Sequence, residues 1–174
     1  MTTSSEPIIH RVGLGTDIHR LVPDRPLVLG GVAIDHPAGL AGHSDADAVL
    51  HAVTDAVLGA AGLPDIGELF SDRDPANRDA DSATFLRQAV RLAEARGYRA
   101  ACADVVIQAE LPMLSRHKPA IRARIAKLLG LAEDRVSIKA KTGEGLDAVG
   151  RGEAIACLAI VGLTHRDAGA RSTA

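Results

Sequence analysis

RVGLGTDIH, residues 11–19, joins a short apolar run to two side chains that can bind a metal ion. We predict a β-strand over residues 11–16 that leads into the segment carrying Asp17 and His19. Residues i and i+2 of an extended chain lie on the same face, so this aspartate and histidine can converge on one ion. The segment therefore predicts the first strand of a sheet and part of a metal site.

A helix that carries a third candidate ligand is predicted over residues 45–62. Its apolar residues recur at the 3.6-residue period, namely Ala48, Val49, Ala52, Val53, Ala56, Val57 and Ala60. Ser44 and Asp47 resemble a capping box at its start. The helix would therefore present His51 to the site from a different part of the chain than Asp17 and His19.

Asp17, His19 and His51 together have the composition of a metal site. Two imidazoles and one carboxylate with an open fourth position are typical of a zinc ion that exchanges a ligand. Asp55 lies one helical turn after His51, where it either orients that imidazole or faces solvent. We expect a working metal centre with Asp55 in the supporting position.

The remaining sequence alternates extended and helical patterns without a repeat or a linker between domains. Extended segments are predicted at residues 26–34, interrupted by Gly30 and Gly31 as in a hairpin or bulge, and at 104–109, 135–140 and 154–164. Helices are predicted from Ser82, as the cap, to about Arg96, and over residues 119–129, with loops at 64–81, 110–118 and 142–152.

This order of elements favours an α/β fold of the α+β sandwich type, in which a mixed β-sheet has helices packed on one face. The other face also needs a cover, and few elements of the chain are left to provide one. We therefore expect an oligomer in which sheets pack together.

The composition excludes several classes of function. The length of 174 residues is typical of one domain, predicted at residues 11–165 between flexible ends at 1–10 and 166–174. A formal charge of -2, with two Phe, one Tyr and no Trp, argues against a nucleic-acid partner. The absence of a secretory signal and of a long apolar run predicts a cytoplasmic protein without a membrane partner. Cys102 and Cys157 form no C-x-x-C motif and are predicted to be reduced.

Across residues 11–163 the chain resembles the 2-C-methyl-D-erythritol 2,4-cyclodiphosphate synthase family. The shared motifs, in order, are GTDIH at 15–19, AGHSDAD at 41–47 with His51, TDA at 54–56, DIGELF at 65–70, KAKT at 139–142 and GRGE at 150–153. Motifs in the correct order are far more specific than any one of them alone.

The resemblance implies a homotrimeric enzyme of the non-mevalonate isoprenoid pathway, with active sites between neighbouring subunits. Zinc would be held by Asp17, His19 and His51, and magnesium or manganese by Glu144 together with the substrate diphosphate. The 2-phosphate of 4-diphosphocytidyl-2-C-methyl-D-erythritol 2-phosphate would attack the β-phosphorus and expel CMP, which is a phosphorus–oxygen lyase reaction. The product would be a cyclic diphosphate.

The residue types fit this chemistry, because an ionised phosphate nucleophile requires charge neutralisation and alignment more than a strong base. His43 and Ser44 precede a helix, where free N–H groups favour a phosphate. The resemblance implies that His43 and Thr142 act in catalysis. His43 could also be an ordinary surface histidine.

The resemblance further implies a set of substrate contacts. They are Ser44, the erythritol site at Asp65, Ile66 and Gly67, the loop residues Phe70, Ser71, Asp72, Arg73 and Asp74, the cytidine loop with Ala109, Pro112, Met113 and Leu114, and finally Lys141, Gly143, Ala148 and Arg151. The aspartates of the 64–81 loop could instead be solvated turn formers.

Three departures from the family pattern are visible. Lys141-Thr142-Gly143 stands where many relatives have three threonines, and the cytidine loop lacks a Pro-Lys-Met-Leu run, so its contacts come from backbone groups or shift by one residue. Ala148 replaces a phenylalanine that some relatives have near the trimer axis. Arg151 matches an arginine that reaches phosphates near that axis.

Two other functions fit the same residues. A zinc phosphodiesterase or pyrophosphatase would use the metal to activate water and would release a linear product. A non-catalytic trimeric module would use zinc only to stabilise the fold.

Overall fold

Five strands form one mixed sheet in the computed structural model, which describes residues 8–71 and 80–166. The strands of the chain are β1 (Arg11–Pro23), β2 (Leu27–Leu29), β3 (Val32–Ile34), β4 (Ala38–Leu40), β5 (Tyr98–Gln108), β6 (Val136–Lys141) and β7 (Ala154–His165). The sheet order is β4-β1-β7-β5-β6, with β5 and β6 parallel and the other pairs antiparallel. β2 and β3 form a separate hairpin, as predicted from Gly30 and Gly31.

The helices cover one face of this sheet. They are α1 (Ala48–Ala61), α2 (Ile66–Leu69), α3 (Ser82–Ala95), α4 (Lys118–Leu129) and α5 (Asp147–Gly150), with a 3-10 helix at Glu133–Arg135. α1 packs on β1 and β7, α3 packs on α1, and α4 packs on β6. The predicted mixed sheet with helices on one face is confirmed. α2 and α5 lie in segments that were predicted to be loops.

β1 is longer than the predicted strand, which ended at residue 16. Asp17 pairs with Cys157 and His19 pairs with Ile155 of β7, so both candidate ligands lie on the strand itself. β5 likewise begins at Tyr98 rather than at residue 104. In both strands, small or polar residues occupy inward positions, so the sequence lacks the alternation of apolar and polar residues that indicates a strand. Pairing with β7 keeps the backbone extended there.

Two glycines of β1 allow helix α1 to approach the strand closely. A Cβ atom at Gly13 would overlap the carbonyl oxygen of Ala56, and one at Gly15 would overlap that of Ala52. The α1 backbone therefore lies directly on β1. Because His51 precedes Ala52, this contact brings His51 toward the inward face of β1 just beyond Gly15.

Helix α1 is capped by Asp47, not by the predicted capping box of Ser44 and Asp47. The buried Asp47 carboxylate accepts hydrogen bonds from the backbone N–H groups of Val49 and Leu50, both at 3.0 Å. It also accepts from Gly30 at 2.9 Å and Gly31 at 2.6 Å. Burial raises the pKa of Asp47 to about 6, and the N–H donors oppose that shift. One carboxylate thus joins the start of α1 to the β2–β3 hairpin.

Helix α3 also begins one residue earlier than predicted. Asp81 is its cap and accepts from the N–H of Ala83 at 2.8 Å, whereas Ser82, the predicted cap, is the first helical residue and is buried. Asp and Ser are both good caps, so the adjacent pair did not identify the boundary from sequence alone.

The sheet face opposite the helices carries exposed apolar side chains in the single chain. They are Val12, Leu14, Ile18, Leu158 and Ile160, which are 38% to 64% exposed. This is the uncovered face that the sequence predicted.

Neither cysteine forms a disulfide within the described residues, and Cys157 is buried. Among residues 8–71 and 80–166, no helix has the length and apolar character needed to cross a membrane. The predicted flexible ends lie mostly outside the described residues, at 1–7 and 167–174.

We expect Asp47→Ala to lower the free energy of unfolding by about 3 to 5 kcal/mol, because it removes a helix cap and leaves buried N–H groups without acceptors. Asp81→Ala is the matched control, since it removes an exposed cap whose side chain accepts from the N–H of Ala83, and it should cost about 1 kcal/mol. Urea denaturation of both variants measures the difference. Equal losses would contradict the role of Asp47 as a link between α1 and the hairpin.

Candidate metal and substrate site

Three potential ligand atoms converge where β1 meets α1. Asp17 Oδ2 lies 2.9 Å from His19 Nε2 and 2.9 Å from His51 Nδ1, and the two nitrogens are 3.2 Å apart. The three side chains are 14% to 24% exposed, so they are accessible from one side. This is the cluster of metal-binding side chains found among the described residues, and it joins the same three residues that the sequence selected.

The contacts of His19 leave Nε2, the ring nitrogen that faces Asp17, available to bind a cation. His19 Nδ1 lies 2.7 Å from the carbonyl oxygen of Ala41. A carbonyl can only accept, so Nδ1 carries the proton and Nε2 presents its lone pair to the cluster. Metal-binding histidines are typically held in this way through their other nitrogen.

His51 is held through Nε2, which lies 2.9 Å from Ser82 Oγ and 3.3 Å from Ser44 Oγ. Its Nδ1 therefore faces Asp17 and His19. The predicted supporting residue, Asp55, forms a different hydrogen bond: its carboxylate accepts from the N–H of Ile66 at 2.8 Å, at the start of α2. Asp55 thus holds the segment beyond α1, while the serines contact the imidazole.

The electrostatics of the cluster favour a deprotonated aspartate. Burial alone would raise the pKa of Asp17, but its close contacts with the His19 and His51 rings, and the positive charge of these rings when they are protonated, outweigh burial and lower the pKa. The hydrogen bond to Asp17 raises the pKa of His19 against the effect of burial. The opposite directions of these shifts are those expected of a carboxylate and an imidazole in contact.

The donor set fits a divalent metal ion. It offers one carboxylate oxygen and two imidazole nitrogens, with the second nitrogen of each ring already bonded elsewhere. Three protein ligands and an accessible side leave a coordination position open to a substrate. The arrangement can therefore bind a metal and present it to a ligand.

The cluster opens into a cavity of about 340 Å³. Its lining unites most of the candidates from the first half of the chain, namely Asp17, His19, His43, Ser44, His51, Ile66, Gly67 and Phe70, together with Gly42 and Phe85. Phe70 and Phe85 stack with ring centroids 4.9 Å apart and form an apolar wall. Phe85 was not among the sequence candidates.

The remaining candidates of this region lie beside the cavity. Asp65 caps α2, accepting from Glu68 N–H at 2.9 Å, and lines a neighbouring groove with Asp55. Ser71 follows α2 at the edge of the described segment. Asp72, Arg73 and Asp74 lie outside the described residues.

The candidates from the second half of the chain form a separate group. Ala109, Pro112, Met113, Leu114, Lys141 and Thr142 line a cavity of about 170 Å³. Gly143 N–H donates to Glu110 Oε2 at 3.1 Å, and the Thr142 hydroxyl donates to Glu144 Oε1 at 2.9 Å. β7 and β5 lie between β1 and β6 in the sheet. A single chain therefore does not bring Thr142 and Glu144 to the metal cluster.

Arg151 and Ala148 are not among the residues that line these two cavities. Arg151 forms an exposed ion pair with Glu153, with Nε and Oε1 2.9 Å apart, and Ala148 lies in α5.

The sequence did not identify Ser82 or Asp45 as part of the site. Ser82 Oγ contacts both His51 Nε2 and Asp45 Oδ1, although it is far from both in sequence. An Asp-Ser pair before an apolar helix is typical of a cap, and no local signal distinguishes a serine that also reaches a histidine.

Comparison with known proteins identifies the same family as the motifs. The YgbB family model matches residues 10–164. A 2-C-methyl-D-erythritol 2,4-cyclodiphosphate synthase from Moorella thermoacetica is 52% identical over 160 residues, which cover 92% of this chain and 98% of that protein.

Solved structures agree with this comparison. The bifunctional IspDF from Campylobacter jejuni superimposes with a TM-score of 0.85 and 41% identity, covering 89% of this chain and 42% of that longer chain. A 2C-methyl-D-erythritol-2,4-cyclodiphosphate synthase in a CDP-bound form has a TM-score of 0.82 and 44% identity, covering 88% of this chain and 99% of the other. The resemblance inferred from the motifs is confirmed, and the chain belongs to the YgbB family.

Proposed function

We propose that this protein converts 4-diphosphocytidyl-2-C-methyl-D-erythritol 2-phosphate to 2-C-methyl-D-erythritol 2,4-cyclodiphosphate and CMP, in the non-mevalonate isoprenoid pathway. The observation that carries the proposal is the convergence of Asp17, His19 and His51 at a cavity lined by His43 and Ser44. The family and the 52% identity to a synthase support the same reaction. Residues 11–165 would form the catalytic domain.

We assign zinc to the cluster, with Asp17 Oδ2, His19 Nε2 and His51 Nδ1 as ligands. When bound, it would act as a Lewis acid on the substrate diphosphate. Glu144 would hold magnesium or manganese with that diphosphate, since an exposed carboxylate suits these cations. The Thr142 hydroxyl, which already donates to Glu144, supports a shared role in phosphate binding.

The residues of this chain align the reactants. Arg25 donates from Nη1 to Gly42 O and from Nη2 to Ser44 O, both at 3.1 Å, and so holds the loop that carries His43. His43 and Ser44 would bind phosphate oxygens at the cavity wall. The 2-phosphate oxygen forms the new bond to the β-phosphorus, while the bond to the α-phosphate oxygen breaks and its electrons leave with CMP. Phosphate is already ionised, so no protein base is needed.

A homotrimer would complete the site. The metal cavity and the second cavity face different parts of one chain, because three strand spacings, roughly 14 Å, separate β1 from β6. The exposed apolar face with Leu14 and Ile160 gives each sheet a surface to bury against its neighbours. A neighbour's loop with Lys141 and Gly143 would then close over the metal. Ala148 and Arg151 would lie near the trimer axis.

The cytidine group would bind in the second cavity, where Met113 is 68% exposed while Ala109 and Leu114 are buried. Buried Ala109 and Leu114 fix the loop, and exposed Met113 and half-buried Pro112, which both line the cavity, remain available to the base. The CDP-bound relative supports a nucleotide ligand of this kind.

We expect about one zinc ion per wild-type chain and almost none in His51→Ala, because two ligands hold the ion far less tightly than three. His36→Ala is the matched control, since His36 hydrogen-bonds within its own turn to the backbone of Ala38 and its loss should leave the metal content unchanged. Elemental analysis after dialysis measures both variants. Full zinc in His51→Ala would show that the ligand assignment is wrong.

Sedimentation velocity at micromolar concentration should show one trimeric species. Ile160→Asp should dissociate the trimer by placing a charge on the exposed sheet face. Gln88→Asp adds the same charge at an exposed position of α3 and should leave the trimer intact. A wild-type chain that is active as a monomer would exclude the shared site.

A substrate analogue without the 2-phosphate should release essentially no CMP. The intramolecular nucleophile supplies a proximity advantage of up to roughly 7 to 11 kcal/mol, and the proposed site provides no base for water. Chromatographic measurement of CMP from analogue and substrate tests this. Comparable rates would instead identify a zinc phosphodiesterase that uses water.

A further inference from the structure

The side chain of Ser82 lies between the candidate metal ligand His51 and the carboxylate of Asp45. Ser82 Oγ is 2.9 Å from His51 Nε2 and forms a hydrogen bond with Asp45 Oδ1. The backbone N–H of Ser82 also donates to Asp45 Oδ2 at 3.2 Å. Ser82 is fully buried, so these groups meet away from solvent.

The hydrogen bonds among Asp45, Ser82 and His51 fix where the protons lie. A carboxylate can only accept, so the Ser82 hydroxyl donates its single proton to Asp45. Its oxygen must then accept from His51, which places the imidazole proton on Nε2. The lone pair of His51 is therefore on Nδ1, the atom that faces Asp17 and His19.

Asp45 is itself held independently of His51. Its N–H donates to the carbonyl of Ala80 at 3.3 Å, and its Oδ1 accepts from Asp47 N–H at 3.3 Å. The carboxylate thus has a fixed place between the loop before α1 and the first turn of α3. Because Ser82 hydrogen-bonds to both Asp45 and His51, the position of this carboxylate determines the orientation of the imidazole ring.

We propose that Ser82 and Asp45 are positioning residues for the metal centre: together they fix the tautomer and ring orientation of His51 and increase the basicity of its Nδ1. The inference rests on the proposed zinc site and adds two residues that the function did not assign. His19 is oriented by the backbone carbonyl of Ala41, so His51 is the imidazole whose orientation depends on side chains.

The other hydroxyl near His51 is less suited to this role. Ser44 Oγ lies 3.3 Å from Nε2 and already accepts from Ala46 N–H at 3.1 Å. It could hold part of the ring when Ser82 is removed. The expected loss is therefore a weakening of metal binding rather than its abolition.

The test measures zinc affinity of the full chain by competition with a chromophoric chelator. Removing such an outer hydrogen-bond partner typically weakens metal binding about 10- to 100-fold, and we expect this for Ser82→Ala. Ser82→Thr retains the hydroxyl and should restore affinity to within about threefold of wild type. The Co²⁺ absorption spectrum should shift in Ser82→Ala and return in Ser82→Thr.

A double-mutant cycle separates positioning from simple charge attraction. Asp45→Asn should weaken zinc binding in the wild-type background but should have no further effect in Ser82→Ala, because Asp45 acts through the hydroxyl. Thr54→Val is the matched control: it removes a buried α1 hydroxyl that donates to Leu50 O, and it should leave affinity unchanged.

The outcomes distinguish this proposal from the one on which it rests. A wild-type chain that binds no zinc would overturn the metal site itself. A wild-type chain that binds zinc, with Ser82→Ala unchanged, would overturn only the role of Ser82. If Asp45→Asn weakened zinc binding equally with and without the Ser82 hydroxyl, the charge of Asp45 would act directly on the metal. That result would overturn the proposal that Asp45 acts through Ser82. Asp45→Asn alone decides the question if Ser82→Ala does not fold, since unchanged affinity and spectrum in that variant would contradict the proposal.

Discussion

The close contact between strand β1 and helix α1 determines where the three side chains of the candidate metal site lie. Gly13 and Gly15 have no Cβ, so the helix backbone rests on the strand with no side chain between them. Asp17 is the next inward position after Gly15, and His51 is the helical residue beside that contact. A larger residue in the strand would lift α1 and separate His51 Nδ1 from Asp17 Oδ2. Packing and metal chemistry therefore depend on the same two glycines.

A second constraint acts at the start of the same helix, where two aspartate side chains accept hydrogen bonds from backbone N–H groups. The Asp47 carboxylate satisfies N–H groups of α1 and of the β2–β3 hairpin, and Asp45 satisfies the first turn of α3. Since buried N–H groups without acceptors are costly, these two residues keep the loop with His43 in one conformation. Hydrogen bonds that hold the cavity wall in one arrangement would favour alignment of a phosphate.

The sequence selected the three residues of the cluster because their spacing follows local geometry: Asp17 and His19 lie on the same face of a strand, and His51 lies on a strongly periodic helix. It did not identify the caps of the two helices: Asp47 alone, and not a capping box with Ser44, caps α1, and Asp81, not the adjacent Ser82, caps α3. The contact between Asp45 and Ser82 depends on the packing of α3 against α1, which no local pattern contains. The ends of β1 and β5 were also missed, because pairing with β7 keeps small and polar residues extended.

The candidate site residues fall into two groups along the chain, one for the proposed metal and one for the proposed phosphate contacts. The three candidate ligands belong to one chain, as do Ala41 and Ser82, which contact their imidazoles, so the proposed metal would bind without a neighbouring subunit. Thr142 and Glu144 lie beyond β5, at the far edge of the sheet, and reach a metal only on another subunit in the proposed trimer. Assembly would then supply the second half of the phosphate site and exclude water at the same time. A cyclisation requires both, because an incompletely enclosed diphosphate would be open to attack by solvent instead of by its own phosphate.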